Sequence, residues 1–162
     1  MPFAKCFVRL AVIIACIAPA TAGALSPPQA TSDTARSDPA RAPDPRTAIY
    51  ELRTYYPAPG KLAALNARFR EHTLALFARH GMTNVAYWNE APSPEAPDGR
   101  VIYVLAYPDR AARDAAWKAF GSDPEWRAIA AASEANGKLV AKVDSVFMTM
   151  TDYSPPLSLK RR

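Results

Sequence analysis

Ile49-Tyr50-Glu51-Leu52-Arg53-Thr54-Tyr55, followed by Pro57 and by Pro59-Gly60, is the stretch that decides the fold. β-Branched and aromatic residues alternate there with polar ones, and the prolines cannot extend a ladder, so residues 48–55 are predicted to form a strand. The two-residue period puts Tyr50 and Leu52 on one face and Ile49, Glu51, Arg53 and Tyr55 on the other. Downstream, Leu62, Leu65, Phe69, Leu76 and Phe77 recur at helical spacing from Gly60 to about His80. Gly81 suits the positive φ that commonly ends a helix. Residues 85–89 and 101–107 read as two strands of a hairpin, joined by a loop punctuated by Pro92, Pro94, Pro97 and Gly99. Asp109 is a good N-cap for a second helical region carrying Ala112, Ala116, Trp117 and Phe120. That region restarts after Gly121, with Asp123 as cap and Pro124 in the first turn, where a missing N–H costs nothing. A last strand at 143–150 stops before Tyr153-Ser154-Pro155-Pro156.

The order β-α-β-β-α-β is the ferredoxin-like arrangement: an α+β fold in which helices cover one face of a four-stranded antiparallel sheet. The other face would show water an apolar patch larger than monomers usually tolerate. The expectation is a homodimer joined through the sheet faces.

The ends of the chain carry different information. In residues 1–24, Lys5 and Arg9 precede an apolar run, Leu10 to Ala18, followed by Ala20-Thr21-Ala22 and Ala22-Gly23-Ala24, the pattern of a cleaved secretory signal. The run is too short to span a bilayer, which needs about 20 apolar residues. The expected location is periplasmic or secreted; in the alternative, Ile13-Ile14-Ala15-Cys16 acts as a lipobox and Cys16 carries a lipid anchor. Both cysteines, Cys6 and Cys16, fall in this segment, so the processed chain has no disulfide to form. Residues 25–46 are rich in Pro, Ala, Ser, Thr, Asp and Arg and read as a solvated linker. Residues 47–156 make the domain, and 157–162 a basic tail. The formal charge of +5 is concentrated in the ends: between Thr47 and Leu159 there are 12 Lys or Arg against 12 Asp or Glu. A basic footprint for nucleic acid is therefore lacking.

The strand motif at 49–55, with Pro59-Gly60-Lys61, His80-Gly81-Met82, Trp88, Asp123-Pro124-Glu125-Trp126 and Tyr153-Ser154-Pro155, resembles a NIPSNAP domain over about residues 48–156. The resemblance implies the dimeric α/β-barrel superfamily, in which two ferredoxin-like protomers pack sheet against sheet. It implies no reaction and brings no catalytic set. Small monooxygenases, haem-degrading enzymes and dehydratases occur in the wider superfamily, but a shared fold does not transfer an activity.

Candidate site residues come from the side chains themselves. His72 and His80 both fall near the apolar stripe of the first helix, facing the space between helix and sheet. His72 is the candidate for a ligand cavity, and His80 is suited to the carbonyls at the helix end. Glu51 and Arg53 share a face and can pair, or can together position an anionic or hydrogen-bonding ligand. Trp88 and Tyr103 lie on adjacent strands as candidate pocket walls, while Trp126 anchors a helix end. There is no H-E-x-x-H, no Cys/His cluster, no G-x-S-x-G elbow and no glycine-rich phosphate loop, so no metal or cofactor is implied. A single axial histidine is enough for haem, and His72 is the only hint of one. Two readings follow: a homodimer that binds a small molecule or a protein partner, or a small cofactor-free monooxygenase or haem-degrading enzyme using His72 as acid or base.

Overall fold

The computed structural model of the protein describes residues 42–159; the signal and lipobox readings, with Cys6 and Cys16, and the last three residues of the tail lie outside the described residues. Four strands, β1 (Ile49–Pro57), β2 (Thr83–Asn89), β3 (Val101–Tyr107) and β4 (Val140–Thr149), form one antiparallel sheet in the order β2-β3-β1-β4. The helices are α1 (Leu62–Arg68), α2 (Leu74–Arg79), α3 (Arg110–Ser122) and α4 (Pro124–Ser133). The fold is α+β and ferredoxin-like, as the element order predicts. Among the described residues no helix is long and apolar enough to cross a membrane.

The alternation in β1 sorts the core into two parts. Its helix-facing side joins a cluster built on Leu65, Phe69, Phe77, Tyr103, Tyr107 and Phe120. Most of these aromatic contacts are edge to face, the arrangement the ring quadrupoles favour: the Phe77 ring centre lies 4.9 Å from that of Phe120 and 5.4 Å from that of Trp117. On the other side Ala48, Tyr50, Val104 and Ala106 form a smaller cluster that none of α1–α4 joins among the described residues. Met150 and Leu159 pack there, so the chain covers one end of its open face with its own C-terminal segment. Residues just ahead of Thr47 also contact the start of the sheet. Pro43 is buried, Ala48 N–H donates to the Asp44 carbonyl, and the Tyr50 hydroxyl donates to the Pro45 carbonyl at 3.0 Å.

Helix ends follow the side chains that satisfy their free amides. Asp109 Oδ1 accepts from Ala112 N at 2.7 Å, and Asp123 Oδ1 accepts from Glu125 N at 2.8 Å. The long first helix departs from its predicted form. Between α1 and α2, Phe69–Thr73 is π-helical: Leu74 N–H reaches back five residues to the Phe69 carbonyl, and the Thr73 hydroxyl donates to the Arg68 carbonyl at 3.1 Å. The extra residue in this turn seats Thr73 in the core and leaves His72 outside it. β4 starts three residues earlier than predicted, because α4 ends at Ser133 and Leu139, wholly buried, accepts at its carbonyl from Ala58 N.

In the β2–β3 loop Gly99 is buried with φ +69°, and a Cβ there would lie 2.3 Å from the Glu90 carbonyl oxygen. Gly81 has φ +81° but open space around it. Gly81→Ala should therefore cost only the left-handed strain, about 1–2 kcal/mol, and Gly99→Ala at least about twice that, since backbone must also move. Thermal unfolding of the two variants side by side checks this; equal losses of Tm would contradict it.

Candidate functional site

Glu51 stands on the helix-facing side of β1 and is fully buried. An ionised carboxylate there must have its lone pairs occupied. Oε1 accepts from Arg53 Nη1 at 2.6 Å, Arg113 Nη2 at 2.7 Å and Ser145 Oγ at 2.7 Å. Oε2 accepts from Arg113 Nε at 3.0 Å, Trp117 Nε1 at 3.1 Å and the Tyr107 hydroxyl at 3.3 Å. Arg113 thus meets the carboxylate with a two-pronged fork, the strong geometry for this pair. Burial pushes the Glu51 carboxyl up, but hydrogen bonds from Arg113, Ser145 and Arg53, with the charge of Arg53, outweigh it and bring its pKa down to about 2.

Arg53 extends the cluster across the sheet. Its Nε donates to the Tyr103 hydroxyl at 3.0 Å, and its guanidinium lies 4.3 Å from the centre of the Trp117 ring. Burial raises the phenol pKa values of Tyr103 and Tyr107 well above the ordinary range, so both stay neutral.

The structure brings Glu51, Arg53 and Tyr103 of the predicted set together and places the other two elsewhere. Trp88 pairs with Ile102 and Tyr87 with Tyr103, so Trp88 and Tyr103 point to opposite faces and do not wall one pocket. Tyr103 stacks instead on Tyr87, with ring centres 5.3 Å apart. His72 is 45% exposed and borders a cleft of about 330 Å³ between α1 and α4, beside Arg68, Ile129 and Ser133, not the layer between helices and sheet. His80 binds a side chain in place of helix-end carbonyls: its Nε2 lies 2.6 Å from Asp123 Oδ2, which also accepts from Arg79 at 2.9 Å. The hydrogen bond to His80, ahead of that to Arg79, holds the Asp123 carboxyl well below the usual range.

Four members of the cluster, Arg113, Ser145, Tyr107 and the indole N–H of Trp117, were not singled out by the sequence. A usable signal existed for two of them. Arg113 and Trp117 are one helical turn apart, so a helix that buries the tryptophan on the sheet carries the arginine to the same strand. Nothing local marks Ser145, 94 residues from its partner.

The sequence model of the NIPSNAP family matches residues 50–155. Among solved structures, an uncharacterised NIPSNAP-like domain protein from Burkholderia xenovorans is 18% identical with a TM-score of 0.60, the match covering 70% of this chain and 94% of that one. A NIPSNAP family protein from Agrobacterium tumefaciens is 22% identical with a TM-score of 0.56, covering 67% of this chain and 97% of that one. At such identities the likeness to these structures is one of fold. No curated protein matches the sequence.

Glu51→Gln removes the charge but keeps the shape, leaving Arg53 and Arg113 without their shared carboxylate. The expected loss is ~3–5 kcal/mol near neutral pH. A carboxyl whose pKa falls from 4.5 to about 2 on folding contributes its stabilisation fully above 4.5 and loses it as pH drops toward 2. Urea unfolding of both proteins across pH 2 to 7 should thus show a gap that closes below about 4.5; a gap independent of pH would contradict the assignment.

Proposed function

The chain belongs to the NIPSNAP family, and from the character of its open sheet face we propose that it works as a homodimeric binding domain, two copies joined sheet to sheet. The observation that carries this reading is an exposed apolar strip. Trp88 and Val146 are each 54% exposed. Cross-strand pairing puts Ile102 beside Trp88, and Leu52 between Val104 and Val146, all on the face turned away from α1–α4. Removing such a strip from water is worth roughly 25 cal/mol per Å² of apolar surface. Its polar end is mixed in sign: Asp144 accepts from Tyr56 and Lys142, and Arg100 lies over the Tyr56 ring. A two-fold related copy can meet such a patch without net repulsion.

Binding, not catalysis, suits the helix-facing layer. Both oxygens of Glu51 are engaged and its pKa is far from neutrality, while the tyrosines around it are held neutral. None of these groups is poised to exchange a proton at neutral pH, as general acid–base work requires. The signal-like residues 1–24 support an exported protein, with the periplasm or exterior as its place of work.

Light scattering or sedimentation of the processed protein is expected to give twice the protomer mass at micromolar concentration. Val146→Asp places a carboxylate in the joined faces, and burying one without a partner costs ~3 kcal/mol or more. Dimer dissociation should strengthen roughly a hundredfold, with circular dichroism unchanged. A wild-type protein that stays monomeric at tens of micromolar would overturn the reading.

A further inference from the structure

On the helix-facing side of edge strand β4, Val143, Ser145 and Phe147 stand opposite Tyr55, Arg53 and Glu51. Val143 and Phe147 are 39% and 37% exposed, so this margin of the sheet is open to solvent. The large-small-large run sets the short, exposed side chain of Ser145 directly opposite Arg53, a low point, or notch, along the strand. Two guanidiniums, Arg53 and Arg113, share the single carboxylate of Glu51 in this poorly solvated layer, with side-chain exposures of 13%, 21% and 0%. One positive charge is left over. Asp114 meets Arg113 at 3.1 Å but is 62% exposed, where solvent screening removes most of its effect. Arg110, its guanidinium 3.6 Å from the centre of the Phe147 ring, adds a further cation at the mouth. Within Arg53 the demand is specific: Nε serves Tyr103 and Nη1 serves Glu51, while Nη2 has no partner among the described residues.

We propose that this notch binds the carboxylate of a small organic acid, received by Arg53 Nη2, with the acid's apolar body lying against Phe147 or Val143. The uncancelled charge selects an anion, and a planar guanidinium favours a carboxylate. The flanking apolar side chains add affinity for a carbon chain that an inorganic anion lacks. This deepens the binding reading above and does not depend on dimer formation, because the notch and the open face lie on opposite sides of the sheet.

Hexanoate and 1-hexanol serve as probes, titrated into the full processed protein and followed by amide and indole NMR shifts. Hexanoate should move the signals of Ser145, Phe147 and the Trp117 indole, saturating in the millimolar range expected of one charge-assisted contact, and should bind at least about tenfold more tightly than hexanol. Arg53→Gln should abolish the difference between the two probes. Because that variant disturbs the buried cluster, Val143→Asp provides a second test at the rim: it leaves the cluster intact and should weaken hexanoate about tenfold. Val146→Asp, on the open face, should leave hexanoate binding unchanged even where it separates the dimer. Equal binding of acid and alcohol, or affinity unaffected by Val143→Asp, overturns the proposal. So do shifts confined to other residues, or loss of binding in Val146→Asp. The dimer reading stands or falls separately, on the mass of the protein measured in the same samples.

Discussion

A carboxylate held out of water is the constraint around which this domain is arranged. Once Glu51 lies in the layer between sheet and helices, its six hydrogen bonds must come from fixed directions, and they come from β1, β3, β4 and α3. α3 cannot slide along the sheet without withdrawing Arg113 and Trp117 from the same two oxygens. Apolar residues replacing Glu51, Arg53 and Arg113 together could match the cluster in stability, because desolvating three charges offsets much of their attraction. They would not fix the position of the helix in the same way. The aromatic core beside it is non-directional by comparison, and Trp117 joins the two systems: its indole N–H serves the carboxylate while its ring packs on Phe77 and receives Arg53.

Much of this was legible along the chain, and what was not has a physical cause. The faces of β1, both aspartate caps and the glycine that ends the first helix rest on local chemistry, and the structure agrees with each. The π-helical turn was missed because a period of 3.6 fits Leu62, Leu65 and Phe69 equally well up to the point where it fails. Trp88 and Tyr103 lie on adjacent strands yet on opposite faces, because the relative parity of two strands depends on register. Here the register also shifts between Asn84 and Ala86. His72 was assigned inward by the same regular wheel that the π turn interrupts.

The candidate site divides along the same line. Glu51 and Arg53 could be paired from their spacing, and they are paired. Their remaining partners lie 50 to 94 residues away and are brought in only by the fold. A lone acidic residue on the inward face of a strand nevertheless raises a definite question: which donors neutralise it. Arg113 and Trp117, one turn apart on an amphipathic helix, are the kind of answer to expect.

The shift in β2 has a further consequence, for what the protein avoids. An antiparallel sheet with two free edges is a template on which other chains can add strands. At one edge, the irregularity between Asn84 and Ala86 breaks the even row of donors and acceptors that such addition needs. The other edge carries Lys142 and Asp144, whose charges resist lateral stacking. With both margins blunted, neither edge offers the even ladder on which strands of other chains could be added into an open-ended ribbon.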